Sequence, residues 1–131
     1  MALASAPARP DYAAHQRAMR ASFPEVAREL RDILGPKLCA YLGSVKETRA
    51  VHEWADGVRE PGSATQQRLR LALQVALTIA SVDGPEVTRA WFQGLNPRLD
   101  DQSPARLLRD GDVDEVGPAV VAAERAFLIG G

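Results

Sequence analysis

Cysteine is almost missing from this chain. Cys39 stands alone among 131 residues, so no internal disulfide can form. The first residues lack the basic segment and apolar run of a secretory signal, and the two absences together lead us to expect a cytoplasmic protein. Histidine occurs only at His15 and His52, too far apart for zinc-ligand spacing, and no glycine-rich phosphate loop is present. Long apolar runs are also lacking. The most apolar stretch, Leu71 to Val82, is interrupted by Gln74 and Thr78 and falls short of the roughly 20 residues of a membrane span. Aromatic residues make up only 5%, which disfavours a sheet sandwich, and the abundant Ala and Leu favour helix packed on helix. Neither charge sign dominates: 16 basic and 17 acidic side chains leave a net charge of -1. That balance argues against coating nucleic acid through bulk charge, although a reader of DNA sequence needs only a few well-placed cations.

What is present is helix punctuation. The length suits one domain, or two small helical lobes around one core. Residues 1–20 read as a tail, rich in small residues and proline, running into a weak first helix from Asp11 to Arg20 with a thin apolar face. Ser22, Pro24 and Glu25 mark the start of a helix whose Phe23, Val26, Leu30, Ile33 and Leu34 form one stripe up to Gly35. Pro36 opens a second helix that reaches Gly43. Glu47 to Asp56 then puts Ala50, Val51 and Trp54 on one face and Lys46, Thr48, Arg49, His52 and Glu53 on the other. Two short helices joined by a glycine-containing turn, the second with a polar face, form the layout of a helix-turn-helix. Gln66 to Val82 is apolar nearly all round and should be the central, buried helix. Gly84-Pro85 breaks it, a helix follows to Gln93, and Ser103-Pro104 and Asp112 mark two more starts, with Pro118 expected to delay or kink the last. The expected fold is all-α, a unit over 21–83 followed by a smaller helical lobe over 84–131.

Two patterns carry function. Trp54, Gly57 and Pro61, spaced W-x-x-G-x-x-x-P behind the amphipathic helix, resemble the Xre (phage-repressor-like) helix-turn-helix family, in which the Trp closes the core, the Gly ends the helix and the Pro launches the next. On that reading Lys46, Thr48, Arg49 and His52 face the major groove, Arg49 is the best candidate for a guanine edge, and Lys46 and Arg59 grip phosphate. The second pattern is Ala90-Trp91-Phe92, Gly94-Leu95-Asn96-Pro97, Leu99-Asp100, Ser103-Pro104 with Leu107-Leu108, and Gly111-Asp112 before a final helix. In order and spacing it is similar to the toxin-binding domain of the Xre/MbcA/ParS antitoxin family.

That resemblance implies a non-enzymatic antitoxin of a type II pair, whose partner is a RES-domain toxin that consumes NAD or transfers ADP-ribose from it. It implies toxin contacts through Trp91, Asn96, Pro97, Leu99, Arg106, Arg109, Phe127, Leu128, Ile129 and Gly130, with the end of the chain from Glu124 onward approaching the toxin's active site. It also implies a homodimer that represses its own operon on palindromic double-stranded DNA. No cofactor, metal or membrane is expected. The competing readings are a free-standing transcriptional regulator whose C-terminal lobe only dimerises, and a structural adaptor without DNA binding, which Glu47 and Glu53 on the second helix keep open.

Two features mimic other chemistry. Asp110, Asp112 and Asp114 resemble the first ligands of a calcium loop, but Glu115 stands where Gly is required and Val121 where a bidentate Glu belongs, so capping and solvated charge explain them better. Cys39 and His52 have no local nucleophile motif, and Cys39 lies on an apolar face, as a small buried hydrophobe would.

Overall fold

The computed structural model describes residues 10–130. Among them the chain is all-α: α1 (Pro10–Arg20), α2 (Phe23–Leu34), α3 (Pro36–Leu42), α4 (Thr48–Ala55), α5 (Ser63–Gln93), a short 3-10 turn (Pro97–Leu99), α6 (Pro104–Asp110) and α7 (Val113–Leu128). None of these helices is long and apolar enough to cross a membrane. Residues 1–9, most of the expected tail, lie outside the described residues.

Each helix starts where local chemistry favours it. Ser22 closes a capping box: its side chain accepts from the Glu25 N–H, while the Glu25 carboxylate accepts from the Ser22 N–H at 3.0 Å. A cap of this kind contributes about 1 kcal/mol. Ser103 and Asp112 accept from the N–H groups of Arg106 and Asp114 and so start α6 and α7. Asp112 is thus a cap, as its position in the sequence suggests.

α5 is the pillar. α1 and α2 lie along it, α6 and α7 pack on it, and α4 is held by α2 and α3. α1 is better anchored than its thin stripe suggests, because Ala14 and Ala18 are small enough to be buried and Arg70 of α5 donates to the Ala18 and Ala21 carbonyls at 2.8 and 2.7 Å. Gly84 interrupts α5 at φ 85°, ψ 171°, a conformation open to glycine but costly for other residues, and Pro85 restarts the helix. The interruption does not divide the core. One cluster of buried residues runs from Val26 and Leu30 through Trp54 and Leu73 to Phe92, Leu108 and Val120.

Two local expectations need correcting. Pro118 does not delay α7, which begins at Val113 and continues to Leu128 through the proline. The residue before it is Gly117, which has no Cβ to clash with the proline ring, and Pro118 is exposed, so the helix carbonyl it leaves unbonded can be met by water. Pro61 does not begin α5. The helix starts at Ser63 after Gly62, and the Pro61 carbonyl instead accepts from Gln66 Nε2 at 3.0 Å.

Candidate functional site

The first candidate surface is built by α3, its following turn and α4. The Gly43 N–H bonds the Cys39 carbonyl at 2.9 Å, Ser44 takes a left-handed φ of 57°, and the Val45 N–H reaches back to the Ala40 carbonyl at 3.0 Å. This turn sends the chain into α4 with Ala50, Val51, Trp54 and Ala55 buried. Lys46, Arg49 and His52 are exposed and Thr48 is half-buried, the partition that the amphipathic pattern predicts. The exposed cations are not all free. Arg49 Nε and Arg59 Nη1 lie 3.8 and 3.9 Å from the same Glu53 oxygen. His52 Nδ1 is 3.1 Å from Arg31 Nη1, and since a guanidinium only donates, this ring nitrogen accepts.

The second surface is a groove of about 750 Å³ where residues 85–93, the following loop and α7 meet. It brings together four of the residues singled out in sequence: Trp91, Asn96, Pro97 and Phe127. Asn96 organises the loop. Its Oδ1 accepts from the Arg98 N–H at 2.9 Å, and its own N–H donates to the Gln102 carbonyl at 3.1 Å. Trp91 stands edge-on to Phe92, with centroids 5.3 Å apart, and 6.4 Å from the Phe127 ring. The Trp91 indole N–H is buried without a hydrogen-bond partner, a deficit that costs about 1–3 kcal/mol. The same groove includes Leu95, 75% exposed, and the exposed Arg98, neither of which the sequence reading selects as a site residue. An apolar residue inside the Gly94–Pro97 turn was the signal available for Leu95.

The remaining candidates are placed elsewhere. Leu99 is buried beneath the loop, so it supports the groove and does not line it. Arg106 is exposed on α6, paired with Asp110 at 3.6 Å. Arg109 points to the other surface, its guanidinium carbon 4.4 Å from the Tyr41 ring centroid. Leu128 is half-buried against the core, while Ile129, 86% exposed, and Gly130 project beyond it. Within the segment from Glu124 onward, only the last residues project from the body of the chain. α7 continues to Leu128, and Glu124 and Ala126 are buried. Burial pushes the Glu124 carboxyl up to about 7, with Arg125 opposing the shift and Asp11 adding to it, and its Oε2 has no hydrogen-bond partner. Cys39 is buried as expected, and burial pushes its thiol up to about 12.

No family model matches the chain, and no curated protein matches it. A solved structure does. A chain from the crystal structure of the M. tuberculosis MbcT-MbcA toxin-antitoxin complex is similar to this one over 81% of its residues and 96% of that chain, with a TM-score of 0.62 and 23% identity. At that identity the likeness shows the fold. It places this helix order among known architectures and leaves activity to be argued from the surfaces themselves.

Proposed function

We propose that this chain is the antitoxin of a type II toxin-antitoxin pair. Its C-terminal part, 84–131, binds and neutralises a RES-domain toxin that consumes NAD or transfers ADP-ribose from it, and the chain itself has no catalytic role. The observation that carries the reading is the groove around Trp91, Leu95 and Phe127. It combines an exposed leucine at the tip of a loop with an aromatic pair behind it, Trp91 and Phe127. Aromatic and apolar side chains gathered in one open groove are the features of a docking hot spot. The fold shared with a chain of a toxin-antitoxin complex supports the same reading. Trp91, Asn96, Pro97 and Phe127 would form the contact with Leu95, and Ile129 and Gly130 would extend it; Leu99 holds the loop from behind.

The α3–α4 pair within 21–83 would serve as a helix-turn-helix, a homodimer repressing its own operon through a palindromic operator in the cytoplasm. The exposed Lys46 and Arg49 favour this role, with Thr48, His52 and Arg59 beside them. Co-expression with the product of the neighbouring gene tests the toxin reading. We expect growth rescue and co-purification with the intact chain, and loss of both with Leu95→Asp. A harmless neighbour that never co-purifies would refute neutralisation and leave a plain DNA-binding regulator.

A further inference from the structure

The surface beside α4 contains a charge arrangement that a helix-turn-helix alone does not explain. An open groove of about 820 Å³ is lined by Lys37 of α3, Lys46 and Arg49 around the start of α4, and Arg109 of α6, four cations facing a single carboxylate, Glu47. The chain as a whole is slightly acidic, so this concentration is local. Of the four, Arg49 is paired with Glu53, whereas Lys37, Lys46 and Arg109 have no ion pair among the described residues. A fifth cation stands close by. Burial first, and then the nearby Arg109 charge, lower the pKa of Arg68, with Asp110 opposing. Arg68 is occupied in holding the turn, donating to the Leu42 carbonyl at 3.0 Å and to Ser44 Oγ at 3.4 Å. Arg109 is not so occupied. Its guanidinium lies over the Tyr41 ring, and its N–H groups have no hydrogen-bond acceptor among the described residues. Like charges gathered from three elements repel one another unless an anion joins them.

We infer that Arg109, with Lys37 and Lys46, grips the sugar-phosphate backbone of duplex DNA alongside the α4 contact, so that the C-terminal part of the chain also holds the DNA. This rests on the reading of α4 as a DNA-facing helix. Two observations favour a phosphate backbone as the occupant. The groove is continuous with the exposed face of α4 through Arg49, and it offers hydroxyls, Ser44 and Thr48, next to the cations, the mixture that phosphate contacts use. Backbone contacts set register and affinity without reading bases, so Arg109 should act equally on all sequences.

The test uses the full chain, a labelled duplex covering the DNA just upstream of its gene and an unrelated duplex, titrated by anisotropy between about 50 and 200 mM salt. Arg109→Ala and Lys37→Ala should each weaken binding to both duplexes about tenfold and flatten the slope of log K against log salt by about 1, while Arg109→Lys keeps the slope. Arg49→Ala should weaken mainly the upstream duplex. If Arg109→Ala loses helicity by circular dichroism, the exposed Lys37→Ala decides. Arg109→Ala and Lys37→Ala proteins that bind like wild type overturn the inference and leave the α4 reading standing, provided Arg49→Ala still weakens binding. A wild-type chain that binds neither duplex at low salt overturns both, and retention of poly-glutamate instead would assign the groove to an acidic protein.

Discussion

The indole of Trp54 lies directly against Gly43: a Cβ at residue 43 would stand 2.5 Å from Trp54 Cη2 and 2.9 Å from Cζ3. The turn into α4 and the core behind α4 are therefore one packing unit. Trp54 cannot retreat, since it is buried and its ring centroid lies 6.2 Å from that of Phe23 of α2. Gly43→Ala should destabilise the chain by about 1–3 kcal/mol through overpacking. Urea unfolding followed by tryptophan fluorescence would show it as a lower midpoint, and an unchanged midpoint would mean that the indole has room to move.

Leu95 should separate binding from folding. It is exposed and outside the core cluster, so Leu95→Asp should change stability by no more than about 0.5 kcal/mol. Affinity for the toxin should fall by at least about 2 kcal/mol, roughly 30-fold. Calorimetric titration with the purified partner, alongside thermal melting of the free chain, measures both. Trp91→Ala should lower both quantities together because Trp91 is also core.

Glu124 makes stability depend on pH. Its folded pKa of about 7 lies above the ordinary 4.5, so between those values the folded chain keeps a proton that the unfolded chain releases. The stabilisation is complete below about pH 4.5, declines as pH rises and is lost above about 7, a change on the order of 3 kcal/mol. Glu124→Gln should be more stable than wild type at pH 8 and flatten the profile between pH 5 and 7.5. Parallel profiles for the two proteins would show that Glu124 is solvated when charged.

Cys39 should be inert. With its thiol buried and pushed up to about 12 by burial, a disulfide reagent at pH 8 should label the native chain only at the rate of unfolding. Rapid stoichiometric labelling without denaturant would contradict its placement in the core.

Most helix boundaries were legible because they depend on neighbours in sequence. Ser22 with Glu25, Ser103 with Pro104, Asp112 and the Gly84-Pro85 break all act within a few residues. Pro118 misled because its effect depends on Gly117 before it and on exposure to water, which a helix-breaking rule leaves out. The partner groove was half legible: the Trp91, Asn96 and Pro97 pattern marked its loop, but Leu95 and Leu99, both apolar and four residues apart, could be sorted into exposed and buried only by how the loop folds back through the Asn96–Gln102 contact.

Composition and periodicity by themselves determined the all-α class, the helix starts and the amphipathic face of α4, since local caps and the 3.6-residue repeat are written along the chain. The destination of Arg109 was decided by the tertiary structure. Docking of α6 against α3 carries that side chain, 68 residues beyond Tyr41, onto the tyrosine ring and away from the groove its sequence neighbours suggest, and no local rule encodes a contact across that distance. The buried state of Glu124 has the same origin: α7 turns one face to α5, and whichever side chain falls on that face is buried, charged or not.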